Sequence, residues 1–307
     1  MIGYRLYYTD PTGNVYTVAD GNIRRIAKGG LHGFGMMKAS VAGVRRPYRS
    51  GELFLGNPYT PPRELSVGIE ITRGSWDLFQ QEIADRVTDW NPYKAPDKLG
   101  VLTLENATSG NRRAIDCLLC EVPDPEMSGP VGGVLEMHWY APFPFFYDPV
   151  EKSQVFGLGS PGGVAFPIEF AGGGTPGVTF STSSVDSRIT VANVGHIETW
   201  GRIRVNGPGD NPVIENETTG KTMALTAGGG LSLDSGDCVD VDMNSATVKF
   251  FDASVGTMTD INEKMSDASE FWPLVPGGNT LHCTMSNVTT GSIIVYWYNY
   301  YLVGWVR

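Results

Sequence analysis

The sequence predicts a mainly β protein, with a first β-sandwich or barrel-like domain that carries one helix and a second β-sandwich after it. Three observations lead there. Apolar residues alternate with polar ones at period two along most of the chain, which is the pattern of half-buried strands. Turn-forming Gly, Pro, Asn and Asp recur at short, regular intervals. Only one stretch has apolar residues at helical spacing.

Tyr4, Leu6 and Tyr8 alternate with Arg5 and Tyr7, and Asp10-Pro-Thr-Gly13 then turns the chain into residues 15–18. This is a hairpin signal. Leu65, Val67, Ile69 and Ile71 alternate with Ser66, Gly68, Glu70 and Thr72 as a half-buried strand. Residues 101–104 and 113–122 read as two further strands, joined by the turn-forming residues 106–111. Between these strands Trp76, Phe79, Ile83, Val87 and Trp90 recur every three or four residues, from Ser75 to the closing Asn91-Pro92. That stripe predicts a helix over about 75–90, docked on a sheet.

The composition shifts near residue 150. Residues 139–149 are rich in aromatics and proline, and eight glycines fall between Gly157 and Gly177, including Gly172-Gly173-Gly174. A boundary there divides the chain into domains at 1–150 and 151–307. Beyond it short strands are predicted at 188–191, 199–205, 212–216, 222–226, 239–243, 248–251, 280–284 and 292–298. No helix interrupts them, which indicates a sandwich.

Bulk properties exclude several functions. In 307 residues, 41% are hydrophobic and 18% charged, so the chain is globular and long enough for full cores. The net charge of −10 argues against general nucleic-acid binding and against anionic membrane surfaces. The polar start reads as no signal peptide. The most apolar stretch, residues 293–306, is too short to span a bilayer and is broken by Asn299 and Gly304. Cys117, Cys120, Cys238 and Cys283 are expected to be buried free thiols, a reduced set that fits synthesis in a cytoplasm. In a strand, the spacing of Cys117 and Cys120 turns them to opposite faces, which is unsuited to a shared zinc ion.

No catalytic set emerges. His32, His138, His196 and His282 stand outside any HExxH pattern, and no GxSxG elbow occurs. His196 reads as a turn residue and His282 as a strand residue. Asp234, Asp237, Asp240 and Asp242 cluster, but calcium-loop spacing is absent. Asp237 is expected to support a turn, and Asp240 and Asp242 to lie on the exposed face of a strand. The glycine run lacks the ending of a phosphate loop. Arg24-Arg25, Arg45-Arg46 with Arg49, and Arg112-Arg113 read as solvated or interface charge. A non-enzymatic protein without metal or cofactor is therefore expected.

The second half carries an ordered series of motifs. Asn193-Val-Gly195 is followed by Thr199-Trp200, and Gly207 opens a turn that runs through Asn211 and Pro212. Asn216 and Gly220 close the next turn, and Gly236-Asp237 leads to Asp242. Trp272, Leu274, Pro276, Gly277 and Asn279 precede the closing strands with Val295, Trp297 and Tyr301. In this order they resemble the galectin-like domain of the distal tail proteins (Dit) of long-tailed, siphovirus-type bacteriophages. The first half agrees in outline: Pro61-Pro-Arg63 leads a strand, the helix follows, and two strands come after. The glycines at 207, 220, 236 and 277 fit turns that need positive φ, and Pro212 and Pro276 fit strand edges. Trp272 and Leu274 read as core plugs.

The resemblance implies a homo-hexameric ring in the virion, formed by the first domains around a DNA channel, with galectin-like domains projecting outward. Its partners would be the tail tube protein and the tail-tip, tail-fibre or receptor-binding proteins, with DNA passing unbound and no membrane involved. It leaves open whether the last strand returns to the first domain. The alternative is a lectin-like module for host glycans, with Asn193, His196 and Trp200 as sugar-site candidates, alongside Asn206 and Asn216.

Overall fold

The computed structural model describes residues 3–37, 39–40, 43–45, 52–54, 59–89, 97–121, 126–129, 132–159, 184–288 and 290–305. The predicted glycine-rich tract at 172–174, Arg46, Arg49 and Trp90 lie outside them. The strands in order are β1 (Tyr4–Thr9), β2 (Val15–Ala19), β3 (Arg24–His32), β4 (Gly43–Arg45), β5 (Glu52–Phe54) and β6 (Arg63–Thr72). Helix α1 (Trp76–Asp89) follows, then β7 (Gly100–Asn106), β8 (Arg112–Glu121), β9 (Glu126–Gly129), β10 (Gly132–Ala141) and β11 (Phe146–Tyr147). After these come β12 (Lys152–Gly159), β13 (Ser184–Asn193), β14 (Arg202–Asn206), β15 (Gly209–Asn216), β16 (Lys221–Ala224) and β17 (Ser232–Leu233). The last are β18 (Cys238–Asp242), β19 (Thr247–Asp252), β20 (Thr257–Asp260), β21 (Gly277–Ser286), β22 (Thr290–Trp297) and β23 (Tyr300–Tyr301). The protein is mainly β.

Two compact units result. The first comprises Met1–Pro149 together with Tyr300–Arg307, and the second Val150–Asn299.

In the first unit a sheet runs β2-β1-β7-β8-β10-β6-β3, with β9 beside β10 and β11 between β8 and β23. Its core takes the alternating side chains the sequence marks: Leu6, Tyr8, Leu65, Val67, Ile69 and Ile71, joined by Trp139, Phe146 and Tyr301. Asp10 fixes the first hairpin, accepting from the amide nitrogens of Thr12 and Asn14, both at 2.9 Å. Ser75 caps the helix: its backbone carbonyl accepts from Phe79 and its hydroxyl from Leu78. Phe79 is buried and Ile83 packs on the core. Trp76, expected on the same buried stripe, is 43% exposed and stacks on Phe79 instead. It occupies the first turn, where the helix is held by its cap. On the buried face of α1, Glu82 pairs with Arg73 and Arg24 and so ties the helix to the ends of β6 and β3.

The second unit is two antiparallel sheets, β12-β22-β14-β18-β19-β20 and β13-β21-β15-β16 with β17. Ile203, Val205, Val239, Val241, Ile293 and Val295 from one sheet share a core with Val191, Ile214, Leu281, Cys283 and Met285 from the other. Burying each such side chain contributes about 1.5–3 kcal/mol before chain entropy is set against it.

Of the four free cysteines, Cys117, Cys238 and Cys283 are buried, but Cys120 is exposed. Cys120 follows the core-facing Leu119 and so points to the opposite face from Cys117, at a bulge where His138 lies opposite Glu121 and Trp139 opposite Leu119.

Candidate functional site

The motif residues of the second unit build a series of turns held by the side chains of Asn211, Asn216, Asp237, Asp242 and Asn279. The first links β15 to the chain before β17. Asn211 adopts φ 52°, and its Oδ1 accepts from the Leu231 amide nitrogen at 3.0 Å. Pro212 sits where the β15–β21 register shifts between Asp210 and Val213. β15 is paired on both sides, so the proline is accommodated at a bulge and not at a sheet edge. Asn216 is fully buried, its Oδ1 accepting from Thr218 at 3.1 Å, and Gly220 takes φ 70° to complete that turn.

Gly207 and Gly236 meet at the second turn. Gly236 has φ 96°. Gly207 is not at positive φ: a Cβ there would lie 2.5 Å from the Asp234 carbonyl oxygen and 2.7 Å from the Leu233 Cβ. Close approach of backbone, not turn geometry, requires this glycine. Asp237 is the keystone, accepting from the amide nitrogens of Asp234 and Ala253, both at 2.9 Å. Asp242 closes the β18–β19 hairpin by accepting from Asn244 and Ser245. Asp240 departs from expectation. It is buried, because Arg204 lies directly opposite on β14 and donates to both carboxylate oxygens at 2.7 and 2.6 Å. The carboxylate in turn raises the Arg204 guanidinium above its ordinary range. Among the described residues, no group of three or more His, Cys, Asp or Glu could hold a metal ion.

At the third turn Asn279 is fully buried. Its Oδ1 accepts from Val275 at 2.9 Å, and its amide donates to the carbonyls of Val275 and Gly277. Gly277 has φ 102° and Pro276 is exposed just before β21. Leu274 bridges to Thr199 through backbone bonds in both directions, and Trp272 is buried in the core.

The sugar-site candidates differ in what they expose. Asn193 is fully buried and its amide donates to the carbonyls of Ile197 and Leu274, while its Oδ1 accepts from Gly195. It has nothing to offer a saccharide. Asn216 is fully buried with its Oδ1 committed to its turn, and Asn206 donates to Ser292 at 2.8 Å. Trp200 and His196 are exposed. His282, on β21 opposite Glu215, has its Nδ1 3.7 Å from both Glu215 and Glu217.

In the first unit Arg63 is a residue whose role the sequence leaves undeclared. It is 1% exposed, and its guanidinium donates to four backbone carbonyls: Pro144 at 2.7 Å, Gly35 at 2.8 Å, Leu302 at 2.9 Å and Gly33. It also lies 4.9 Å over the Phe146 ring. Burial pushes its pKa down to about 10, so it stays charged at neutral pH. The signal was its phase, since Arg63 shares the core-facing parity of Leu65, Val67, Ile69 and Ile71.

Known proteins agree with this architecture. Residues 194–301 match the family described as siphovirus-type tail component, C-terminal domain. No curated protein sequence matches the chain. Among solved structures, it is similar to the SPP1 Dit protein, described as a paradigm of the hub adsorption apparatus of phages infecting Gram-positive bacteria. The TM-score is 0.62 at 12% identity, covering 96% of this chain and 98% of that one. It is also similar to chains of the phage P2 baseplate in its activated conformation with Ca (TM-score 0.48, 14% identity, 96% of this chain and 98% of that one). The form with Sr gives 0.47, 14%, 96% and 97%. The motif turns described above fall within or beside the matched residues, and the likeness in fold extends over both units. Residues 194–301 thus match a siphovirus-type tail component C-terminal domain, and the chain as a whole shares its fold with the SPP1 Dit structure.

Proposed function

We propose that the protein is the distal tail protein of a long-tailed phage, a non-enzymatic hub that assembles as a homo-hexameric ring. In this reading the first unit forms the ring around a channel, and the galectin-like second unit is directed outward. The ring joins the tail tube protein to the tail-tip and receptor-binding proteins in the virion, after synthesis in the host cytoplasm. The observation that carries the reading is the fold likeness to SPP1 Dit across 96% of the chain, together with the family match over residues 194–301. Charge supports it. Six copies at −10 each carry about −60, and acidic channel walls repel a DNA polyanion so that it passes without adhering.

The test is size-exclusion chromatography with light scattering and negative-stain imaging. Six copies of 33.3 kDa come to about 200 kDa, and a six-fold ring of that mass is the expected result. A monomer retained on a glycan array would overturn the ring in favour of the lectin reading. A channel lined by Lys and Arg that binds DNA at physiological salt would overturn free passage.

A further inference from the structure

The outer face of the first unit's sheet contains a cleft of about 500 Å³ that the hub reading leaves unused. Its walls come from β3, β6, β8 and β10. His32 and His138 both lie opposite Ser66 in register, and the next row places Tyr140 opposite Glu64. Glu121 lies opposite His138, beside the bulge that re-aims this end of β8. Among the described residues the lining includes no Lys or Arg. Neither the Glu64 nor the Glu121 side chain has an ion pair or hydrogen bond among the described residues, while Glu136 at the rim is engaged by Ser66 at 3.1 Å. Tyr140 is 39% exposed, an aromatic wall directly across from a carboxylate without a counter-ion.

That combination has a specific chemistry. Carboxylates on the two strands that flank β10 attract a cation, and a tyrosine face favours a flat, weakly hydrated one whose methylene stem it can cover. Guanidinium fits better than ammonium, because its fork can donate to two carboxylates while its plane lies against the ring. We propose that this cleft is the docking site for an arginine side chain presented by a partner protein. Glu64 and Glu121 accept its hydrogen bonds and Tyr140 packs on its stem. The cleft lies wholly within one unit of one chain, so the proposal does not depend on the ring.

The test is a titration of the full-length protein with the peptide acetyl-Gly-Arg-Gly-amide, followed by NMR shifts or calorimetry. Saturable millimolar binding is expected, at least fivefold weaker for the lysine peptide. The double variant Glu64→Gln/Glu121→Gln should weaken it at least tenfold and Tyr140→Ala severalfold. Glu270→Gln, which loses a surface pair with Lys221 in the second unit, should leave it unchanged. All three altered cleft residues are exposed, and circular dichroism checks that the fold persists. Absence of saturation, or equal binding by the double variant, overturns the proposal. Spermidine binding as tightly as the arginine peptide overturns it too, in favour of a free polyamine. Because the measurement reads binding by each chain, its failure leaves the ring reading standing, and loss of the ring leaves this result intact.

Discussion

Arg63 donates from Nη2 to the carbonyl oxygen of Leu302 at 2.9 Å, joining positions 239 residues apart in the chain. The same guanidinium satisfies carbonyls at 33, 35 and 144, so one side chain collects four segments of the first unit. Loss of a buried donor strands its acceptors at a cost of about 1–3 kcal/mol for each group left unpaired.

Arg63→Met is therefore expected to destabilise the first unit by at least about 3 kcal/mol. Arg63→Lys should recover little, because a tetrahedral ammonium with three donors cannot address four acceptors arranged for a planar fork. Urea titrations of the two variants against the parent check both statements, and a rescue by lysine would refute the fork geometry.

Acid sensitivity should be concentrated at Asp10. Burial pushes its carboxyl up, but hydrogen bonds from Thr12 and Asn14 outweigh that and hold it down at about 2. A depressed carboxyl contributes stability that is present above the unfolded value near 4 and is lost as pH falls from about 4 through about 2. With solvent screening allowed for, the contribution is on the order of 1 kcal/mol. Asp10→Asn should lower stability at pH 7 and flatten the fall between pH 4 and 2, measured by thermal melts across that range.

Arg204 and Asp240 form a bidentate pair shielded from solvent on the acid's side. A double-mutant cycle with Arg204→Ala and Asp240→Ala should return a coupling of about 1–2 kcal/mol, above the usual surface pair. Each single variant should be destabilising, and a coupling near zero would reduce the pair to ordinary surface charge.

Two alanine substitutions separate close approach from mere flexibility. Gly207→Ala should destabilise the second unit by more than about 1 kcal/mol, since its Cβ meets backbone and Leu233 at under 3 Å. Gly157→Ala meets nothing within 4 Å and should leave the melting temperature level or slightly raised. Matching melting curves for the two would contradict the packing at Gly207.

Thiol reactivity should follow burial. Cys117 and Cys283 are fully enclosed, and burial pushes their thiols well above the ordinary range. One cysteine, Cys120, should label with a small disulfide reagent in the native protein, and the other three only in denaturant. Cys120→Ser removing the native signal is the check.

Much of the architecture was legible because it rests on local pattern. The phase of Leu65 through Ile71 marked a core-facing strand, and Phe79 with Ile83 marked the helix face. The motif glycines and asparagines marked turns that do occur at 216–220, 234–237 and 275–277. What escaped depends on pairing between distant segments. Asp240 reads as exposed from its parity, and only the register with Arg204, 36 positions earlier, covers it. Gly207 fits a turn, yet its constraint comes from the chain at 233–234. Trp76 matches the helical stripe but sits one turn too early to reach the core. Strand β10 escaped for a different reason: Leu135, Met137, Trp139 and Ala141 alternate cleanly with Glu136, His138 and Tyr140, but its end runs into the aromatic and proline-rich residues 139–149 that read as a boundary.

The pairing of Phe146 with Tyr301, and of Lys152 with Trp297, has a consequence for how the protein can change. The chain leaves the first unit after Pro149 and re-enters at Tyr300, and in each unit the outgoing and returning strands are neighbours. To the first unit, everything between is a closed loop, and the entropy of closing a loop rises only as the logarithm of its length. The second unit is thus a cassette on a two-stranded stem. A shorter, longer or unrelated domain set on the same stem alters the first unit's closure entropy by only about 0.6 kcal/mol per doubling of length. Selection can therefore exchange the second unit while leaving the Arg63-centred platform as it is.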